Sequence, residues 1–282
     1  MVKCLTTRSK KARALSNTRA TGQETFAGRK KILLTIIDAE RETALALGQH
    51  CQRLKMDVRA HAWQGGEAGL CGLLQALICD GHDLWLIAGR KKTLDLPEVR
   101  KSLALAALGA TAALASKGQS LPIVIAPTGG MPKPLPDPLR HAVLAPTATT
   151  DAIMASLRQP PAPAPLPCRL AVHCPPRMGL WLEAGPLNEE WQGALCGLSG
   201  VASPLAHAVS TADRLLEQRE MQEPMQGLHF STAMGEFTAW GVKNTLSPQL
   251  SYFVRMHGLP DALLVGALPQ AGAPDLTCLS LI

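Results

Sequence analysis

The chain has 282 residues, 46% of them hydrophobic and 18% charged, which excludes a lean, charge-rich disordered polymer and leaves enough apolar material for a substantial core. With 4% aromatics, 24 Gly and 22 Pro, that core must be built mainly from Leu, Ala, Val and Ile. The net charge of +6 is a local feature: residues 1–31 hold nine basic side chains against the single acid Glu24, and the rest of the chain holds 19 basic against 21 acidic.

Residues 1–28 therefore read as a basic, Ser/Thr-rich tail without hydrophobic periodicity, expected to be solvated and disordered. Two other uses stay open: contact with nucleic acid or acidic lipid through residues 1–31, and an Arg-rich, acid-poor organellar transit segment. No apolar run reaches the roughly 18–20 residues of a membrane helix. The longest candidate, Leu103 to Ser116, is Ala-rich and short, so a membrane partner is not expected. Eight cysteines occur without Cys-x-x-Cys or a Cys/His spacing that suits zinc. Because several fall in apolar helix patterns, and no secretory signal precedes them, the expectation is reduced thiols and a cytoplasmic location. Cys168, His173 and Cys174 share one predicted strand that throws His173 and Cys174 to opposite faces, which favours a buried strand over a metal cluster.

In chain order, Lys31 to Ile37 is a continuous β-branched and Leu run, hence a strand buried on both faces, and Asp38 is the expected cap of a helix reaching Leu54. Met56 to Trp63 predicts a second strand, Gly65-Gly66-Glu67 a turn, Ala68 to Cys79 a helix, and Asp83 to Ala88 a third strand. A helix from Pro97 to about Ser116 and a strand from Leu121 to Ala126 follow, then a short fifth strand at His141 to Leu144 and a helix at Thr150 to Leu157. Short strands separated by long helices require crossovers, so residues 29–158 predict an α/β domain with a three-layer, mostly parallel, Rossmann-like sheet.

Such sheets bind ligands beyond the carboxyl ends of their strands. The residues expected there are Asp38 after the first strand, Gly65, Gly66 and Glu67 after the second, Gly89, Arg90, Lys91 and Lys92 after the third, and Thr128, Gly129 and Gly130 after the fourth. Three consecutive cations beside a glycine and a helix start suit a small anion, and the plain alternative is a solvated basic loop. Asp38, Glu67 and Glu98 are the candidate acid/base residues. The first turn, Asp38-Ala39-Glu40-Arg41, lacks the Gly-x-Gly-x-x-Gly of a dinucleotide fold, no Gly-x-x-x-x-Gly-Lys-Ser/Thr loop occurs, and the third strand ends in Ala88-Gly89 where a receiver domain needs an Asp.

Over about residues 30–158 the order of elements resembles the flavodoxin-like folds that include the TIR domains. In that resemblance Asp83 to Ala88 corresponds to the third strand, Leu96 to Leu108 to the segment that carries the family's catalytic glutamate, and Leu121 to Ala126 to the following strand. The pattern departs at Glu98-Val99-Arg100-Lys101-Ser102, where Ser102 stands at the glutamate's place and Glu98 fits only with a shifted register. The resemblance thus implies a scaffold or degenerate sensor in place of NAD cleavage.

Pro160-Pro161-Ala162-Pro163-Ala164-Pro165-Leu166-Pro167 predicts a semi-rigid linker over 159–167. Beyond it, Cys168 to Cys174 and Leu180 to Ala184 predict a β-hairpin. Helices are expected at Asn188 to Leu198, Pro204 to about Gln222 and Pro248 to His257, with strands at Leu228 to Thr232, Phe237 to Val242 and Ala262 to Leu268. That is a smaller α+β domain over 168–282, with a homodimer through it as one expected use. Its chemically interesting residues are His173, Glu183, His229, Ser231, Glu236, Lys243 and Asn244. A Ser231/His229/Glu236 triad lacks an oxyanion device, which leaves Glu236 and a Lys243-Asn244-Thr245 turn as contacts toward an interdomain cleft. The leading expectation is a two-domain binding or regulatory protein for a small anion such as a nucleotide. The alternatives are an enzyme acting on a nucleotide or phosphorylated metabolite in that cleft, and a nucleic-acid-associated factor.

Overall fold

The structure, a computed structural model, describes residues 29–38, 41–146, 150–212, 214–215, 218–269 and 276–282. The basic tail at 1–28 lies outside them. The first part is a parallel sheet of β1 (Lys31–Ile37), β2 (Asp57–Ala62), β3 (Leu84–Arg90), β4 (Ile123–Thr128) and β5 (Val143–Leu144), ordered β2-β1-β3-β4-β5. Alternation along the buried strands splits the core by face. Leu33, Ile37, Trp85, Ile87, Ile123 and Ile125 meet α2 (Gly66–Cys79) and α4 (Pro97–Ala115). Ile32, Leu34, Leu84, Leu86 and Val124 meet α1 (Arg41–Arg53) and α5 (Thr150–Arg158). A short helix, α3 (Lys91–Leu94), continues directly from β3. The three-layer α/β reading of this part stands. None of the helices among the described residues is long and apolar enough to cross a membrane.

The second part differs from the α+β expectation. Among the described residues it consists of two five-stranded antiparallel sheets packed face to face. One contains β6 (Arg169–His173), β7 (Leu180–Gly185), β9 (Ser203–Thr211), β10 (Gln218–Arg219) and β13 (Leu250–His257), ordered β10-β9-β13-β7-β6. The other contains β8 (Trp191–Ser199), β11 (Met225–Thr232), β12 (Gly235–Leu246), β14 (Ala262–Ala267) and β15 (Leu276–Ser280), ordered β11-β12-β8-β14-β15. The segments expected as helices at Asn188 to Leu198, Pro204 to Gln222 and Pro248 to His257 contain β8, β9 with β10, and β13. Two-sided burial is the reason: Ala194 to Ser199 of β8 are all buried, so the run carries no period-two signature and reads equally as a buried helix.

The two parts share a core. Leu74 of α2, Leu105 and Leu108 of α4, Leu170 and Val172 of β6, and Leu182 of β7 belong to one buried cluster that continues between the two antiparallel sheets. Gly109 marks the tightest point, because a Cβ there would lie 2.7 Å from both the Val172 carbonyl oxygen and the Leu74 side chain. A disulfide joins Cys71 of α2 to Cys174 beside β6, across 103 residues of sequence. This corrects the expectation of reduced thiols: the two partly exposed side chains meet because α2 and the end of β6 pack on the same side of the molecule.

Candidate functional site

The carboxyl edge of the parallel sheet gathers most of the anticipated ligand residues. Ile37 is in register with Gly89, Gly89 with Pro127, and Arg90 with Thr128, so the ends of β1, β3 and β4 finish side by side. In this strand order the connection after β1 leads outward to β2 and the next leads back across to β3, which makes the gap beyond β1 and β3 the switch point. Gly89 is required there: a Cβ would sit 2.9 Å from the Ile37 carbonyl oxygen and 3.2 Å from the Leu94 side chain.

Asp38 does not cap α1, which starts three residues later at Arg41. It takes a left-handed backbone (φ 46°), tolerable for Asp, and its Oδ2 accepts a 2.9 Å bond from the Thr93 hydroxyl, closing the gap between β1 and α3. Lys91 is turned aside as well, its Nζ 2.6 Å from Asp95 Oδ2, while Asp95 Oδ1 accepts the Lys133 amide at 2.7 Å. Burial opposes ionisation of Asp95, but the bonds from Lys91 and Lys133 outweigh it and hold its carboxyl below the usual range. Arg100, almost wholly buried, donates to the Pro134 carbonyl, so Asp95 and Arg100 together pin the loop that follows Gly129 and Gly130. Both glycines need positive φ, at 76° and 113°, and Gly130 lies against the stem of Lys91. Thr128 makes a long 3.5 Å bond to the Gly89 carbonyl. Lys92 is exposed and Arg90 half-buried.

Gly65 and Gly66 follow the carboxyl end of β2, beside β1, and the anticipated carboxylates are engaged or exposed elsewhere. Gly65 caps α2 and Gly66 is left-handed, but Glu67 is committed to the antiparallel part, its Oε1 accepting the Gly258 amide at 2.6 Å and lying 3.7 Å from His257 Nδ1. Glu98 is exposed in the first turn of α4, where its backbone carbonyl accepts the Ser102 hydroxyl at 2.8 Å. Glu236 pairs with Ser231 at 2.8 Å at the exposed ends of β11 and β12. Lys243, Asn244 and Thr245 lie within β12 instead of in a turn, so these residues do not assemble a cleft.

Sequence reasoning missed Thr93, Asp95 and Arg100, and inside the antiparallel part it singled out His173 and Glu183 but missed the partners Arg169 and Ser251 that join them. Arg169, Glu183 and Ser251 come together where β6, β7 and β13 run adjacent. Ser251 Oγ donates to Glu183 Oε1 at 2.6 Å, His173 Nε2 lies 2.6 Å from Oε2, and Arg169 Nε lies 3.2 Å from Oε1. Arg169 also donates to the Pro186, Pro248 and Leu250 carbonyls. Gly185 leaves room for it, since a Cβ there would meet the guanidinium at 2.5 Å. Burial disfavours the Glu183 carboxylate, yet the His173 and Ser251 bonds and the Arg169 charge overcome this and keep its pKa below normal. Both Ser251 and His173 address the carboxylate and not each other, so the group is a structural clamp. Among the described residues no three His, Cys, Asp or Glu side chains cluster as metal ligands would.

No protein-family model matches the chain, and no curated protein matches it in sequence. Among solved structures, the apo form of translation elongation factor SelB from Methanococcus maripaludis aligns with a TM-score of 0.31 and 10% identity, covering 89% of this chain and 78% of that one. A likeness at that level assigns neither family nor function.

Proposed function

We propose that the protein is a two-part binding or regulatory protein whose α/β part holds a small anion, such as a phosphate or nucleotide, at the carboxyl edge of its parallel sheet. The supporting observation is the convergence at the switch point of the Arg90, Lys91 and Lys92 backbone, two left-handed glycines and the Gly89 close approach. The anion would lie beside the exposed Lys92, with Arg90 adjacent in the chain, since Lys91 is engaged by Asp95. Binding is favoured over catalysis because Asp38 is occupied by Thr93, Glu67 by Gly258, and Glu98 is exposed in α4. Self-association through the antiparallel part belongs to the same proposal; a cytoplasmic setting does too, although the Cys71–Cys174 bond is of a kind that a reducing compartment disfavours.

The test is a thermal-shift titration with inorganic pyrophosphate and with adenosine diphosphate. A ligand at a hundred times its Kd stabilises by about 2.7 kcal/mol, which should raise the melting temperature by several degrees. Lys92→Glu should reduce the rise and Lys92→Glu with Arg90→Glu should remove it. Absence of any rise, or an equal rise in the double variant, rejects the proposal.

A further inference from the structure

A cavity unrelated to the carboxyl edge lies where the two parts meet. Its volume is about 820 Å3, within the range of roughly 300–1,000 Å3 that holds small molecules. One wall is α4, which presents Ala107, Thr111 and Ala115 on one ridge and Leu108 and Ala112 on the next, continued by its C-cap Ser116. Side chains this small leave the neighbouring elements standing off, and the space remains. The opposite walls are residues 163–168, β6 and β15, so three prolines with fixed φ (Pro163, Pro165 and Pro167) shape one side, and little ordering is left for a ligand to impose. Leu187 and Met234, 47% and 46% exposed, leave apolar surface at its border.

The electrostatics select the occupant. Three charged residues reach the cavity, and each is already compensated. Asp137 Oδ1 lies 2.7 Å from Arg140 Nη2, and Asp137 Oδ2 accepts the Ser280 amide at 2.7 Å. Arg169 is held by Glu183, Ser251 and backbone carbonyls. His141, the histidine of the wall, has its pKa pushed down by burial, which favours the neutral ring. An anion or cation entering would give up its water without gaining a counter-charge, whereas an apolar body gains burial of about 25 cal/mol per Å2. We propose that this cavity is a binding site for an uncharged, predominantly apolar small molecule carrying at most one or two hydrogen-bonding groups.

Nile red, a neutral apolar fluorophore, provides the direct probe on the full chain. Titration should show saturable binding of one dye per chain. Ala112→Trp, on a half-buried position of the wall, should weaken it at least tenfold without changing the melting temperature, and Ala115→Trp, on an exposed one, should act in the same direction. Dodecanol should displace the dye from the unaltered protein at least ten times more effectively than laurate of the same chain length. Lack of saturable binding, or dye affinity untouched by both tryptophan variants, would overturn the site. Displacement by laurate as strong as by dodecanol would overturn the uncharged ligand class.

Discussion

Glu183 shows how a single residue can be visible in a sequence and still be misjudged. A lone carboxylate inside Leu180-Trp181-Leu182-Glu183-Ala184 stands out as chemically costly, and His173 ten residues earlier stands out with it. What the string of letters cannot provide is the partner set, because Ser251 is 68 residues away and is brought to β7 by the β13 pairing. Once assembled, the group obeys the rule that a buried charge must be paired. Replacing Glu183 with Gln leaves the Arg169 guanidinium without its counter-charge and should cost about 3–5 kcal/mol, read as a lower urea midpoint. The depressed carboxyl pKa fixes the sign of a pH effect. Its stabilisation is fully present above the ordinary glutamate value and disappears as pH falls through the lowered folded value. The unaltered protein should therefore lose stability on acidification in that range, and the Gln variant should lack this component of the loss.

At the scale of elements, the parallel sheet was legible and the antiparallel pair only in part: the expected hairpin is β6 and β7, and the expected strands at 228–232, 237–242 and 262–268 fall in β11, β12 and β14, while the segments read as helices are strands. Lys31 to Ile37 and Asp83 to Ala88 are short, bounded by polar or glycine residues, and alternate with segments too long to be strands, so their class follows from length alone. The same logic fails for β8, whose apolar stretch has the length of a short helix. For β13 the signal was present in Tyr252-Phe253-Val254, three residues that fit a pleated surface, but Ser247-Pro248 imitates a helix start. The candidate site fared similarly. Strand ends could be located from the pattern, whereas the Asp95 and Arg100 anchors depend on where the 129–136 loop folds back. Helix α4 supplies the sharpest test at this scale. In an open helix Gly→Ala stabilises by up to about 1 kcal/mol. Gly109→Ala should instead destabilise by about 1–3 kcal/mol, since its methyl meets the Val172 carbonyl and Leu74. A denaturation midpoint equal to or above that of the unaltered protein would show that α4 and β6 are less closely docked.

For the molecule as a whole, the Pro-rich stretch invites a picture of two beads on a stiff string, and the apolar cluster that runs from α2 through α4 into β6 and β7 replaces it with a continuous body. The Cys71–Cys174 bond closes a long loop around that junction, and removing such a link typically costs about 2–4 kcal/mol. Cys71→Ser with Cys174→Ser, or reduction of the unaltered protein, should lower the melting temperature by several degrees, measured with and without dithiothreitol; an identical transition under both conditions would remove the bond from the account of stability. The junction also determines what a cut would do. A protease that nicks the backbone anywhere in 160–166 would create two polypeptides that still sediment as one particle, and only a reductant combined with a denaturant would part them.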